Sequence, residues 1–307
     1  MNISQKLSIL IITFNRQEDT LELLENLSTQ INYDDSVGEV LLLNNNSTVS
    51  YSKVEEYVSA HPELKINYIA HSENLGVARG RNYLIKQAKF PLLLVLDDDV
   101  VFANNDALYK ASQLFDKKEF KNNVSVITLN IYYYATSERQ KNALPHKKYE
   151  QYKDKDWFLT NYFVGAAHLM KKELFDKTGL YPENFFYGME EYDLSYRIVD
   201  VGYRLAYDNS VKVLHKESPT GRITNLQKLK MMWYNKSVVA WKFLPKKYFY
   251  TTAFMWSLFF LIKSNFKLIT YFKMWNEICK IPKKYPRQTI NQTALDYLKS
   301  VEARLWY

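Results

Sequence analysis

Two acidic clusters hold the residues of this chain best suited to chemistry. The first, Asp97-Asp98-Asp99, ends the run Leu92-Leu93-Leu94-Val95-Leu96. An unbroken apolar stretch of that length reads as a buried strand of a parallel sheet, and in open α/β sheets ligands bind beyond the carboxyl ends of the strands. Three adjacent carboxylates repel one another unless positive charge lies among them. A divalent cation, Mn2+ or Mg2+, shared with the phosphates of a nucleotide would supply that charge. A solvated acidic turn capping the next helix is the structural alternative. The second cluster is Glu190-Glu191, followed by Asp193 and Arg197. On a helix the two glutamates point about 100° apart and need not share a task. Asp193 and Arg197, four residues apart, can pair along the helix. Carboxylates also suit a helix N-terminus, which is an account with no chemistry in it.

The elements that position these clusters alternate. Short apolar runs predict strands at residues 7–13, 40–44, 66–70 and 92–96, with amphipathic helices at 17–29, 50–60 and 77–88 between them. That order predicts βα units and an α/β, mainly parallel sheet flanked by helices. A strand at 124–129 follows, then a long aromatic and basic loop over 132–155, a strand over 157–170, short helices at 171–178 and 191–201, and a last strand at 211–215. Loops of that length are uncommon unless they serve function. Three strand-to-helix turns are polar: Thr13-Phe14-Asn15-Arg16, Asn44-Asn45-Asn46-Ser47 and the stretch from Asn74 to Asn82, with Gly76, Gly80 and Arg81. Such turns grip nucleotides, and glycine allows close backbone approach; Asn/Ser clusters are also ordinary turn residues. Neither a Walker loop nor a G-x-G-x-x-G fingerprint occurs, which counts against P-loop phosphotransfer and NAD chemistry.

Taken in order, these segments resemble glycosyltransferase family 2, whose members have the GT-A fold. The likeness runs over about residues 5–217: TFNR, NNNS where the family commonly has D-N-x-S, NLGVARGRN, LDDD, Gly165-Ala166, GMEEYDLSYR where the family has E-D-x-D-L-x-x-R, and His215. The resemblance implies that Thr13, Asn15, Arg16, Asn46, Asn74 and Gly76 line a nucleotide pocket. It implies that Asn44 and Arg81 contact the base, that Asp97 and Asp98 approach the ribose and its diphosphate, and that Asp99 and His215 bind metal. A histidine at a strand end can equally be structural. By alignment with the E-D pair, Glu191 is the base that takes the acceptor hydroxyl's proton during inverting sugar transfer. Here the usual Asp is a longer Glu, and Glu190 stands as the second candidate. Asn44 replaces a common Asp; its amide oxygen can accept from the ring N–H of uracil or thymine. A UDP-sugar is therefore favoured, with a dTDP-rhamnose type of donor as the alternative. Trp157 and Tyr187, in segments rich in aromatic rings, are the acceptor-stacking candidates, with core packing as their other reading.

The net charge of +8 sits wholly after residue 244, where 11 Lys/Arg face 3 Asp/Glu. Within that tail the run at 248–262 is almost entirely apolar or aromatic but shorter than the roughly 20 residues of a bilayer span. Lys246, Lys247, Lys263 and Lys267 flank it. The pattern fits a helix lying on an anionic membrane surface, or one packed on the rest of the protein. No nucleic-acid-binding module accompanies the charge. A catalytic unit over 1–220, with a nucleotide half at 1–100 and an acceptor half at 101–220, and a helical basic extension over 221–307 follow. One cysteine and no signal-peptide pattern point to the cytoplasm, peripheral to the inner face of the cell membrane. The partners expected are a nucleotide sugar, a glycan or lipid-linked acceptor of bacterial surface-glycan synthesis, and anionic lipid. Two rivals are weaker. A nucleotidyltransferase would want a glycine-rich loop after the first strand, and a silent nucleotide-sugar-binding subunit has no need of both acidic clusters.

Overall fold

A computed structural model of the chain describes residues 6–218 and 224–306. The continuous apolar runs form the strands β1 (Leu7–Thr13), β2 (Val37–Asn44), β3 (Ile66–Ala70) and β4 (Leu92–Asp97). Between them lie α1 (Gln17–Ser28), the short α2 (Tyr33–Ser36), α3 (Ser52–Ala60) and α4 (Gly76–Gln87). The chain continues through β5 (Val100–Phe102), α5 (Ala107–Gln113), β6 (Val124–Tyr133), α6 (Tyr149–Tyr152), β7 (Trp157–Thr160), β8 (Ala167–Lys171), α7 (Leu174–Thr178), α8 (Glu190–Asp200) and β9 (Arg204–His215). The first three βα units match the expected boundaries to within about three residues.

All nine strands join one sheet in the order β3-β2-β1-β4-β8-β6-β9-β5, with β7 on β9. The block β3-β2-β1-β4 is parallel, as βα alternation requires. The rest of the sheet is mixed: β8 runs antiparallel to both β4 and β6, and β5 and β7 run antiparallel to β9. The sheet is uniformly parallel in its first half and mixed in its second. In the second half β6 and β9 are the parallel pair, joined through β7, β8, α7 and α8. The single strand expected over 157–170 is two, β7 and β8, with different partners; residues 161–166 between them form the loop that reaches the site.

Four helices follow: α9 (Asn225–Phe243), α10 (Lys246–Lys263), α11 (Leu268–Lys284) and α12 (Gln292–Ser300). The boundary expected at 220/221 lies outside the described residues. On either side of it one apolar core is continuous, since Trp233, Phe243, Ile281 and Leu298 pack in the same cluster as Leu10, Val95 and Leu194. Polar ties reinforce the docking: Asn235 Nδ2 donates to the Gly188 carbonyl at 2.9 Å, Lys242 pairs with the buried Asp193, and Tyr297 donates to the Thr160 carbonyl at 2.8 Å.

Candidate active site

Strand register brings the first acidic cluster together with its partners. Ile12 lies opposite Asp97, and Thr13 opposite Asn44, so the carboxyl ends of β1, β2 and β4 are level. The tight turn at Asp98-Asp99 leads into β5, whose Val100 is paired with His215 on antiparallel β9. That pairing sets Asp99 Oδ1 3.2 Å from His215 Nε2. Potential ligand atoms of Asp97, Asp99 and His215 all lie within 4.8 Å of one another. Gln140 gives its amide N–H to Glu217 at 2.6 Å and turns its oxygen to His215 Nδ1 at 3.2 Å. Its oxygen can accept from an Nδ1 proton, while Nε2 faces Asp99. Burial opposes charge on His215, but the hydrogen bond and negative charge of Asp99 prevail and raise its pKa. Burial likewise pushes Asp99 up, and His215, Arg16 and the Ser218 N–H together hold it below its ordinary value.

The repulsion expected of three adjacent carboxylates is relieved by the protein's own cations. Asp98 is buried and accepts from Arg16 Nη1 at 2.7 Å and the Phe14 N–H at 3.3 Å. Burial pushes its carboxyl up to about 7 against the pull of Arg16. Asp98 and Arg16, expected to touch the nucleotide, thus clamp the β1 turn to the acidic turn, with Arg16 also 3.2 Å from Asp99. Asp97 is the accessible carboxylate, with its side chain 40% exposed and 3.6 Å from Arg81 Nη2.

Arg81 joins the two acidic clusters. It is buried on α4, donates through Nη1 to Glu191 Oε1 at 2.9 Å and through Nη2 to the Gly165 carbonyl at 3.1 Å. Its guanidinium is turned to the acids, whereas the resemblance assigned it to the base. Gly165 leaves room for this pair, because a Cβ would lie 2.4 Å from Glu191 Oε1. The adjacent glutamates differ as their helical offset predicts. Glu191 is 17% exposed and paired, while Glu190 is buried, its Oε2 makes no hydrogen bond among the described residues, and burial plus the charge of Glu191 raise it to about 8. Glu190 is thus a neutral acid at pH 7.

The polar turns mostly hold one another. Thr13 is fully buried and shares its hydroxyl with Thr20 and Tyr51, so it shapes the pocket from beneath without lining it. Asn15 accepts from the Thr48 N–H at 2.7 Å, and Asn44 accepts from the Ser47 N–H at 3.0 Å while donating to Tyr68. Asn45, whose role the sequence did not single out, donates to Asn74 and accepts from the Leu75 N–H, stapling the second turn to the third. Asn46 is exposed in the left-handed region. Gly80 does not approach the cleft: a Cβ there would meet Ile12 Cδ1 at 2.8 Å, so it serves helix–strand packing. Between these turns and the N-terminus of α9 lies a cleft of about 710 Å³ that includes Arg16, Asn74, Gly76, Arg81, all three aspartates, Tyr187 and His215. Lys228 of α9 also lines it, 5.9 Å from the Tyr187 ring.

A second cavity, of about 490 Å³, opens between the 133–149 loop, residues 161–162 and the C-terminal helices. Trp157 lines neither cavity and packs edge-on against Phe120. Alternation along β7 turns Phe158 inward and Trp157 outward. The long loop supplies both Gln140 and one wall of this cavity.

Two carboxylates and an imidazole with its second nitrogen fixed make a donor set that fits a divalent cation. The sequence profile of Glycosyl transferase family 2 matches residues 8–179, more than half of the chain. An uncharacterized protein of Haemophilus influenzae is 31% identical over 179 residues, covering 57% of this chain and 92% of its own. Among solved structures, residues 1–349 of TarS from S. aureus in complex with UDP-GlcNAc superpose with a TM-score of 0.64 at 13% identity, covering 98% of this chain and 89% of that one. The mannosyltransferase PcManGT from Pyrobaculum calidifontis, in complex with GDP-Man and Mn2+, gives 0.60 at 17% identity, with 96% and 79% covered. GalNAc-T7 with UDP, GalNAc and Mn2+ gives 0.61 at 15% identity, with 80% of this chain aligned to half of that one. These similarities share one fold and agree with the site built at its strand ends: the chain belongs to glycosyl transferase family 2, has the GT-A fold, and is a glycosyl-transfer enzyme.

Proposed function

We propose that the protein is an inverting, metal-dependent glycosyltransferase that moves a sugar from a UDP-sugar to a hydroxyl of a bacterial surface glycan, such as a capsule or lipopolysaccharide precursor. One observation carries this reading: the buried guanidinium of Arg81 holds Glu191 on one side and reaches Asp97 of the Asp97-Asp99-His215 cluster on the other. A base and a diphosphate-binding end are thereby set around one small space. Glu191 Oε1 is committed to Arg81, and Oε2 makes no hydrogen bond among the described residues, which leaves it for the acceptor hydroxyl. Glu191 takes the hydroxyl proton as that oxygen bonds the anomeric carbon and the bond to the diphosphate breaks on the opposite face, so the anomeric configuration inverts. Asp97, Asp99 and His215 would hold Mn2+ or Mg2+, which neutralises charge on the departing diphosphate. The imidazole in the donor set favours Mn2+, the ion found with two of the similar structures. Uracil recognition is supported by Asn44, whose amide oxygen keeps a second lone pair beyond the one given to Ser47.

The extension supports work at the inner face of the cell membrane. The inner side of α10 packs into the core through Phe249, Ala253 and Phe260, while Ile262, Phe266, Ile269 and Phe272 around the α10–α11 turn are each more than 60% exposed. Lys263, Lys267 and Lys273 stand among them. No helix among the described residues is long and apolar enough to cross a membrane. Rings and aliphatic chains of this kind insert at the headgroup boundary while lysines meet anionic lipid.

Both parts have direct tests. Product NMR on transfer from a UDP-sugar should show inversion; retention would overturn the single displacement. The intact protein should sediment with anionic liposomes at low salt. Changing Lys246, Lys247, Lys263 and Lys267 to Glu should cut the bound fraction at least about tenfold, and an intact protein that ignores anionic vesicles would refute the membrane role.

A further inference from the structure

The second cavity is chemically unlike the donor cleft. Its wall carries the stacked rings of Tyr162 and Tyr192, with centroids 4.6 Å apart. Tyr192 is the residue after Glu191, so this aromatic platform adjoins the turn that bears the proposed base. Flat tyrosine faces suit the apolar faces of sugar rings. Lys236 of α9 and Arg304, beyond α12, line the same cavity. Among the described residues neither makes a hydrogen bond or an ion pair to protein; Lys236 lies only over the Trp256 ring, its Nζ 4.6 Å from the centroid. The cavity's acid, Glu302, already pairs with Lys148 at 2.5 Å. Burial and the nearby charge of Arg304 lower the Lys236 pKa to about 8, so the two cations feel each other without a carboxylate between them. Placing like charges together in a concave, partly desolvated space is unfavourable unless an anion joins them.

We infer that this cavity receives the acceptor, and that the acceptor is an anionic glycan whose phosphate or carboxylate is held by Lys236 and Arg304 while a sugar ring lies on Tyr162 and Tyr192. The inference rests on the glycosyltransferase reading above, and it adds the class of acceptor. The cations of an extension that is far from the acidic clusters in sequence then have a part in substrate choice.

Glucose 6-phosphate, glucuronate and glucose serve as probes, titrated into the full chain by calorimetry with UDP and Mn2+ held in excess so that the donor cleft is filled. One of the anionic sugars should bind at least tenfold more tightly than glucose, and the one preferred identifies the anion. Lys236→Met and Arg304→Gln should each remove that margin, while Lys228→Met in the donor cleft leaves it. Arg304 is exposed, so its substitution should leave the denaturation midpoint in place and keep the test valid if Lys236→Met folds poorly. Equal binding of the three sugars, no binding of any, or a margin that survives Arg304→Gln would overturn the proposal. Binding of UDP with Mn2+ is read in the same experiment; its absence would instead count against the donor reading.

Discussion

The donor cleft and the second cavity manage charge in opposite ways. Beside the acidic clusters of the cleft the cations are matched: Arg16 with Asp98, Arg81 with Glu191, His215 with Asp99. In the second cavity Lys236 and Arg304 are not matched. A self-neutralised cluster is stable before ligand arrives and can exchange a protein cation for a metal ion. An unmatched pair is held in place by the fold and gains most when ligand arrives. On the proposed reading the polar turns and aspartates serve a donor that brings its own counter-ion, and the tail an acceptor that brings the missing charge.

The comparison breaks most visibly at Glu191. Glu191→Gln keeps the shape and removes the proton acceptor, so turnover should fall by roughly 10²- to 10⁴-fold with nucleotide binding preserved. Glu190→Gln should cost much less, because that buried carboxyl is neutral already. Steady-state kinetics showing the reverse order would move the base to Glu190.

Gly165→Ala sharpens the boundary between the two spaces. The added methyl must displace the Glu191 carboxylate from Arg81, and a misplacement of that size should lower turnover by about 10²-fold. Calorimetry should find UDP affinity little changed; a loss of UDP binding equal to the loss of turnover would mean that the loop belongs to the donor side.

Gln140→Ala leaves all three candidate ligands in place but frees the His215 ring. Manganese affinity, followed by electron paramagnetic resonance of the free ion, should weaken by about 10- to 100-fold. An unchanged affinity would show that Gln140 does not orient the ligand.

The smallest effect is on stability. The Glu190 carboxyl titrates near 4.5 when unfolded and near 8 when folded, so between those values the folded state binds more protons and stability falls as pH rises. Denaturant titrations from pH 5 to pH 8 should show the wild type losing more stability than Glu190→Gln. Parallel curves would mean that Glu190 is ionised in the fold.

How much of this was legible in the sequence follows from distance along the chain. β1 to β4 and their turns were readable because each is a local pattern, an apolar run followed by polar residues, and the sheet then levels the ends. The resemblance put Asp99 and His215 on a metal and Asp97 on the ribose; the β5–β9 pairing sets His215 against Asp99, with Asp97 in the same cluster, although β5 itself is only three residues long and went unseen. The resemblance and the polar turns put Arg16, Arg81, Asp98 and Thr13 at the nucleotide, but neither could show their partners within the protein. Arg16 pairs with Asp98, Arg81 with Glu191, and Thr13 with Thr20 and Tyr51, as buried charges and hydroxyls require partners. Gln140, Lys236 and Arg304 gave no local signal. The first sits in a segment without periodicity, and the other two matter only because α9 and the chain after α12 fold back onto α8. Trp157 lines neither cavity for a simpler reason: alternation along a four-residue strand decides which side a ring takes.

The central claim is that the strand-end aspartates and His215 form the diphosphate end of a nucleotide-sugar site. Calorimetric titration of UDP with and without Mn2+, in the wild type and in Asp99→Ala, tests it most directly. The account predicts that Mn2+ tightens UDP binding at least tenfold in the wild type, that Asp99→Ala abolishes this gain, and that Glu191→Gln retains it. A wild type whose UDP affinity is indifferent to Mn2+, or an Asp99→Ala variant that keeps the full gain, would contradict it.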